Sequence, residues 1–225
     1  MNLAVIADAD GLEPQTLTDA LNSPEKDKWK PAWEAELTSL AKNKTWVIEP
    51  LPAGRTAIGC RWLFRKKGDG RYKVRLVAKG FSQKPGIDYD ETYAPVAKFT
   101  TIRVLLALSC ESNWEVHGMD VKTAFLNSAL QETVYMQIPE GVSIPTKEVK
   151  PQYQQPMACR LPKSIYGLKQ SPRAWYGRID MFFRSHDFIR SDADHSLFIN
   201  YDRKVILLLY VDDLLLAAPT TLQIN

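Results

Sequence analysis

VILLLYVDDLLLAA, residues 205–218, sets two adjacent acids, Asp212 and Asp213, inside the most apolar stretch of the chain. Val205 to Val211 and Leu214 to Ala218 have the length of strands, and the acids between them fall at a turn. Asp tolerates turn geometry well, so a polar hairpin turn accounts for the pair by itself. A second reading is chemical. Carboxylates gathered at a strand end repel one another and are costly to desolvate unless a cation neutralises them. Hard oxygen donors with few His or Cys nearby select Mg²⁺ or Mn²⁺ rather than zinc.

Working outward, a strand from Trp114 to Met119 delivers Asp120 at its end, a candidate third carboxylate that could equally cap the next turn. Two strand ends carrying acids, brought together in one sheet, would build the clamp that in-line nucleotidyl transfer needs. Thr100 or Thr101 can cap a helix with Ile102, Leu105, Leu106 and Ser109 on one side. Val134, Met136 and Ile138 alternate as a strand before a Pro- and Gln-rich loop at 139–157. Ser171-Pro172 starts a helix whose buried stripe is Trp175, Ile179, Phe182 and Phe183. The segment before it, LPKSIYGLKQ, suits phosphate contacts through Lys and a helix start, or is a plain capped loop. A strand at Ser196 to Tyr201 precedes the acidic hairpin.

Charge is uneven. From Arg61 to Lys84 there are nine Lys or Arg against one acid, a net of +8; the whole chain carries +3, so the remainder is −5. Ala57 to Phe64 and Tyr72 to Gly80 read as strands joined by the tight KKGDG turn. Lys73, Arg75 and Lys79 alternate with Val74, Leu76 and Ala78, so a period of two makes one face cationic and one apolar. Such a footprint suits phosphate-rich partners, or is only a solvated hairpin.

Residues 1–22 lack sustained periodicity and read as a loose leader. Ser23-Pro24 offers a cap, and Trp29, Trp33, Leu37 and Leu40 recur at helical spacing, with Pro31 expected to begin the continuous helix that runs to about Lys42. The longest apolar runs fall well short of the roughly 18 residues a bilayer-crossing helix requires, and no membrane partner is expected. Cys60, Cys110 and Cys159 form neither a ladder nor a CxxC site, which favours a reducing compartment. Alternating helices and antiparallel strands give an α+β class, with helices expected on one face of the sheet.

Five ordered motifs now carry a family resemblance: NKTW at 43–46, CRWLFRKKGDGRYKVRLVAKGFSQKPGIDYDETYAPVAKFTTIR at 60–103, MDVKTAFLNSALQETVYMQIPEG at 119–141, RLPKSIYGLKQSPRAWY at 160–176 and LYVDDLLLA at 209–217. Together they span about residues 23–218. The chain closely resembles the reverse transcriptase of copia-type long-terminal-repeat retrotransposons.

That resemblance implies a right-hand polymerase, fingers and partial palm, over 23–225, catalysing RNA-directed DNA polymerisation with two Mg²⁺ ions (Mn²⁺ as a substitute). It makes Asp120, Asp212 and Asp213 catalytic, with the Val121 carbonyl as a further metal ligand. It places Lys66, Lys67, Lys73, Arg75 and Gln170 with the incoming deoxynucleoside triphosphate, and Phe125 as the aromatic gate against a ribose 2′-hydroxyl, unless it is a core phenylalanine. Gly167, Lys169, Ser171 and Tyr210 go to the RNA template and DNA primer. The implied setting is intracellular and cytoplasmic, within virus-like particles, alongside integrase and ribonuclease H regions of one polyprotein. Ser128 stands where the family has glycine in FLNG, and Val74 where it reads KAR. Because residue 225 falls just past the acidic hairpin, without primer grip, thumb or ribonuclease H counterparts, weak metal and nucleic-acid binding with little processive extension is expected of this chain. The rival reading is a non-catalytic nucleic-acid-binding remnant, and a third is a fragment without function.

Overall fold

Trp29 decides where the first long helix begins. The computed structural model describes residues 13–144 and 156–224, and in chain order it opens with helices α1 (Leu17–Asn22) and α2 (Lys26–Lys42). Strands β1 (Val47–Pro50), β2 (Cys60–Lys66) and β3 (Tyr72–Ala78) precede helix α3 (Phe99–Glu111). Strands β4 (Glu115–Asp120), β5 (Ala129–Met136) and β6 (Met157–Lys163) lead to helix α4 (Ser171–Arg184). Strands β7 (Ile189–Arg190), β8 (Leu197–Asn200), β9 (Val205–Tyr210) and β10 (Asp213–Ala218) are followed by the short α5 (Thr221–Ile224). The chain divides into two compact units, Met1–Gln83 with Thr133–Leu168, and Lys84–Glu132 with Lys169–Asn225.

In the first unit, α2 starts five residues before Pro31, the expected starting point. A proline there forfeits one hydrogen bond, to the Asp27 carbonyl. Against that loss, Trp29 is 1% exposed and meets Phe64 and Tyr72 edge-on, with ring centroids 5.6 and 4.5 Å away. Burying so large a ring contributes more than one backbone bond costs. Ser23 does not cap α2; it ends α1, giving its hydroxyl to Ala20 O at 2.9 Å. The leader reading also needs correcting over residues 17–22, which are helical; residues 1–12 lie outside the described residues. Thr16 and Asp19 form a capping box. The Glu140 carboxylate accepts from the N–H groups of Leu17 and Thr18 and from the Thr18 hydroxyl at 2.7 Å.

β2 and β3 pair antiparallel from Cys60↔Ala78 to Lys66↔Tyr72. Trp62, Phe64, Val74, Leu76 and Ala78 are buried on one face, as the alternation requires. A three-stranded sheet, order β1-β6-β5, completes this unit. β1 and β6 show no strand pattern in the sequence. Both carry a proline, Pro50 and Pro162, and neither alternates. Of the expected loop at 139–157, residues 145–155 lie outside the described residues, and Met157 already belongs to β6.

The second unit is a five-stranded antiparallel sheet, order β4-β10-β9-β8-β7. Register sorts its faces. Leu197, Leu208 and Leu215 share a rung and pack with Leu105 and Ile102 of α3. Phe198, Leu207 and Leu216 share the next rung, pointing the other way, and Phe183 of α4 lies 5.0 Å from Phe198. Helices therefore cover both faces, not the single face expected. The signal was present: β9 and β10 are apolar at successive positions, the mark of strands buried on both sides. Neither Thr100 nor Thr101 caps α3. The Asp194 carboxylate, 5% exposed, does so from β8's lead-in, accepting from Lys98 N at 3.0 Å and the Thr101 hydroxyl at 2.6 Å. On α4, Trp175, Ile179 and Phe183 are buried as expected, whereas Phe182 is 44% exposed and stacks on His186. Leu106 of α3 is likewise exposed.

Candidate active site

The strand end at Tyr210 turns through Val211 and Asp212 into β10. Val211 takes φ +60°, a left-handed conformation that a β-branched side chain rarely adopts. Hydrogen bonds from both sides hold that turn. The buried Trp175 indole Nε1 donates to Val211 O at 2.6 Å, and Val121 N donates to Asp212 O at 2.9 Å. The second bond joins the turn to the end of β4, where Asp120 sits.

β4 and β10 then run in register from Asp120↔Asp213 to Glu115↔Ala218, and Asp213 also faces Tyr210 across the other ladder. Asp120, Asp213 and Tyr210 thus occupy one rung and one face. Both acids are exposed, Asp120 at the end of the edge strand β4 and Asp213 at the start of β10. Among the described residues neither carboxylate has an ion-pair or hydrogen-bond partner. Like charges directly opposite in a ladder are destabilising, so this rung costs stability and would gain from a cation. Asp212 lies next to that rung, in the turn, partly buried. Among the described residues no group of three or more His, Cys, Asp or Glu is drawn together tightly enough to hold a metal ion. An open hollow of about 450 Å³ adjoins the acids, with Ile102, Met119, Asp120, Tyr210 and Asp213 in its wall.

Other expected site residues of this unit are mostly committed to the fold. Phe125 lies in a short 3₁₀ turn, Ala124–Asn127, and is 8% exposed. Ser128, the departure from glycine, is buried with its hydroxyl on Phe125 O at 2.8 Å. Gln170 is 2% exposed and gives Nε2 to Asp88 O at 2.8 Å; Ser171 is 1% exposed at the start of α4. Lys169 Nζ lies 3.1 Å from the Tyr89 hydroxyl and over that ring.

In the first unit the hairpin sorts its cations by face. Arg61, Arg65, Lys73 and Arg75 share the side away from α2, where Leu63 lies opposite Arg75 and Arg65 opposite Lys73. Arg75 stacks over Tyr166 at 4.9 Å. Lys66 points the other way, 2.9 Å from Glu25, with its ammonium over the Tyr72 ring. Hydrogen bonds from Lys66 and then Tyr72 hold the Glu25 carboxyl below its ordinary range. Lys67 belongs to the turn, where its N–H meets Arg71 O at 2.8 Å. Gly167, at φ +91°, allows the backbone of its segment to cross β3: a Cβ there would stand 2.1 Å from Ala78 O. Structure thus separates four residues that the sequence grouped.

A family model for reverse transcriptase (RNA-dependent DNA polymerase) matches residues 43–225, which include every element of this acidic rung. The chain belongs to the reverse transcriptase family. Its relatives include the retrovirus-related Pol polyprotein from transposon TNT 1-94 of Nicotiana tabacum, 43% identical over 216 residues, covering 92% of this chain and 16% of the relative. The corresponding polyprotein from transposon RE2 of Arabidopsis thaliana is 41% identical over 221 residues, 95% of this chain and 14% of the relative. More distant is the Gag-Pol polyprotein of transposon Ty1-ER2 of Saccharomyces cerevisiae, 28% identical over 206 residues, 85% and 11%. This reverse transcriptase chain therefore spans about one-sixth or less of the polyproteins it matches, and the copia-type resemblance stands. No helix of its described residues is long and apolar enough to cross a membrane.

Three side chains take places that the sequence does not reveal: Trp175 against the acidic turn, and Arg61 and Arg65 on the hairpin. Helical spacing puts Trp175 on a buried stripe, and a buried indole N–H must find an acceptor, but the spacing does not say which one. Arg61 and Arg65 belong to the basic segment by sequence, and only the register sets them beside Lys73 and Arg75.

Proposed function

We propose that the acidic rung is the nucleotidyl-transfer site of an RNA-directed DNA polymerase. The observation that carries this is the pairing of Asp120 with Asp213 on one exposed face, with Val121 N–H tied to Asp212 O. On this reading the sheet unit is the palm and the hairpin unit the fingers of a right-hand polymerase.

The reaction joins a primer 3′-oxygen to the α-phosphorus of a deoxynucleoside triphosphate and expels pyrophosphate. Asp120, Asp213 and Asp212 offer hard oxygen donors, with the Val121 carbonyl as a backbone addition, and this set fits Mg²⁺ or Mn²⁺. Two such ions, when bound, would supply an activated 3′-oxygen and neutralise charge on the departing pyrophosphate. The chain's own part is placement. The Val121–Asp212 bond joins the two strand ends, where Asp120 and Asp213 stand opposite each other. Tyr210, on the same face, offers a floor for the primer end. The cationic face of the hairpin, with Arg61, Lys73 and Arg75, binds phosphates of template-primer or triphosphate, while Arg65 on the same face is paired with Glu13. RNA template, DNA primer, the remaining polyprotein regions and an intracellular, particle-associated setting belong to this proposal.

Mn²⁺ titration followed by electron paramagnetic resonance tests it, together with single-nucleotide addition to a DNA primer on an RNA template. Asp120→Asn and Asp213→Asn should each lower Mn²⁺ affinity at least about tenfold, because a divalent ion loses one of few charged ligands. Unchanged binding in both variants would overturn the site. Binding of metal and nucleic acid without any nucleotide addition would instead support the non-catalytic remnant.

A further inference from the structure

We infer that Trp175 is a positioning residue for the acidic turn, acting through the Val211 carbonyl. The inference rests on the reading of Asp120, Asp212 and Asp213 as the reactive acids, but its geometry stands independently. Val211 immediately precedes them and is held at φ +60°, where its branched Cβ crowds the backbone. Left alone, such a residue relaxes toward extended or right-handed conformations, and Asp212 and Asp213 would swing with it.

The turn is restrained from both sides. Val121 N–H holds Asp212 O at 2.9 Å from β4. Trp175 Nε1 holds Val211 O at 2.6 Å from α4. The Trp175 side is the stiffer anchor: the residue is 3% exposed and sits on the same buried stripe of α4 as Ile179 and Phe183, whose ring rests on Phe198 of the sheet. Indole carries one donor and no acceptor, so its direction fixes the carbonyl it meets. A helix packed on one face of the sheet thereby sets the peptide plane of a turn whose acids serve the other face. Phe at 175 would keep the packing and lose only that donor.

The test uses the full chain in three variants: Trp175→Phe, Val211→Gly and the two combined. Glycine takes the left-handed conformation without strain, so it should need the tether far less. The first readout is amide hydrogen exchange at Val121, whose N–H reports the Asp212 carbonyl. Trp175→Phe should speed it about fivefold to tenfold, the worth of one hydrogen bond. In the Val211→Gly background the same change should be less than about twofold, a non-additivity that a packing loss does not produce. The second readout is Mn²⁺ affinity, which should follow the same pattern. Thermal melting shows whether the variants fold. Equal effects in both backgrounds, or unchanged Val121 exchange in a folded Trp175→Phe chain, would overturn the inference. Should the unaltered chain bind no Mn²⁺, the proposed metal site fails, and the exchange data still decide whether Trp175 holds the turn.

Discussion

Arg61, Arg65, Lys73 and Arg75 share one face of the β2–β3 hairpin while Lys66 lies on the other, paired with Glu25 and over the Tyr72 ring. Replacing Lys73 and Arg75 together by alanine should therefore act very differently from replacing Lys66. Each cation that touches a backbone phosphate contributes about 0.9 to the salt slope on duplex and about 0.7 on single strands, through counterion release. Losing two should flatten the slope of log affinity against log salt by about 1.4 to 1.8. Between 50 and 200 mM salt the unaltered chain would then lose about tenfold more affinity than the double variant. Lys66→Ala should leave the slope nearly unchanged, because that ammonium is already neutralised within the chain. Its cost should fall on the α2–hairpin contact, where Glu25 loses its first partner. Fluorescence anisotropy of a labelled RNA–DNA template-primer across a salt series measures all three. A slope flattened as much by Lys66→Ala as by the double variant, or left unchanged by the double variant, would refute this sorting of the cations. Arg75→Lys offers an internal check: charge is kept, but the guanidinium over the Tyr166 ring is lost.

Three further outcomes follow from the same geometry. Asp194→Ala removes the acceptor for Lys98 N, the Thr101 hydroxyl and Ser196 N, and should cost about 2 kcal/mol, lowering the melting temperature by about 4–8 °C. Burial opposes ionisation of Asp194, but the hydrogen bonds from Thr101, Lys98 and Ser196 outweigh it and hold its pKa below the ordinary value of 3.8. Its stabilisation is therefore complete above that value and fades as pH falls through the lowered one, so acid melts of the variant should converge on those of the unaltered chain. Asp120→Asn relieves the facing charges at the rung with Asp213 and should stabilise the metal-free chain by about 0.2–1 kcal/mol, while abolishing any rise in melting temperature on adding Mn²⁺. Gly167→Ala should destabilise by about 3 kcal/mol, since a Cβ would meet Ala78 O at 2.1 Å on a left-handed backbone; Gly177→Ala, in open space on α4, should stabilise by about 0.5–1 kcal/mol in the same melt.

The contrast between Lys66 and Arg75 shows what the sequence could and could not carry. Period-two alternation told which residues of β3 are buried, and Val74, Leu76 and Ala78 are. It could not tell the face of Lys66, because that depends on the register across the turn, and a shift of one residue would reverse every side chain of β2. The acids behave in the same way. Asp212 and Asp213 were legible as a turn between apolar strands, and Asp120 as a strand end. Which acid faces Asp120 is a matter of register alone, and it is Asp213, with Asp212 joined through its carbonyl instead. Long-range caps were illegible for a related reason. Thr101 looks like an N-cap because local propensity favours it, yet its hydroxyl serves Asp194, 93 residues away, whose carboxylate is the stronger acceptor. Trp175 completes the pattern: its place on a buried stripe follows from helical spacing, but the direction of its N–H is set by the turn it meets. Functional placement in this chain therefore resides in contacts that cross between elements, and a substitution conservative by local propensity, such as Trp175→Phe or Arg75→Lys, is the kind that should expose it.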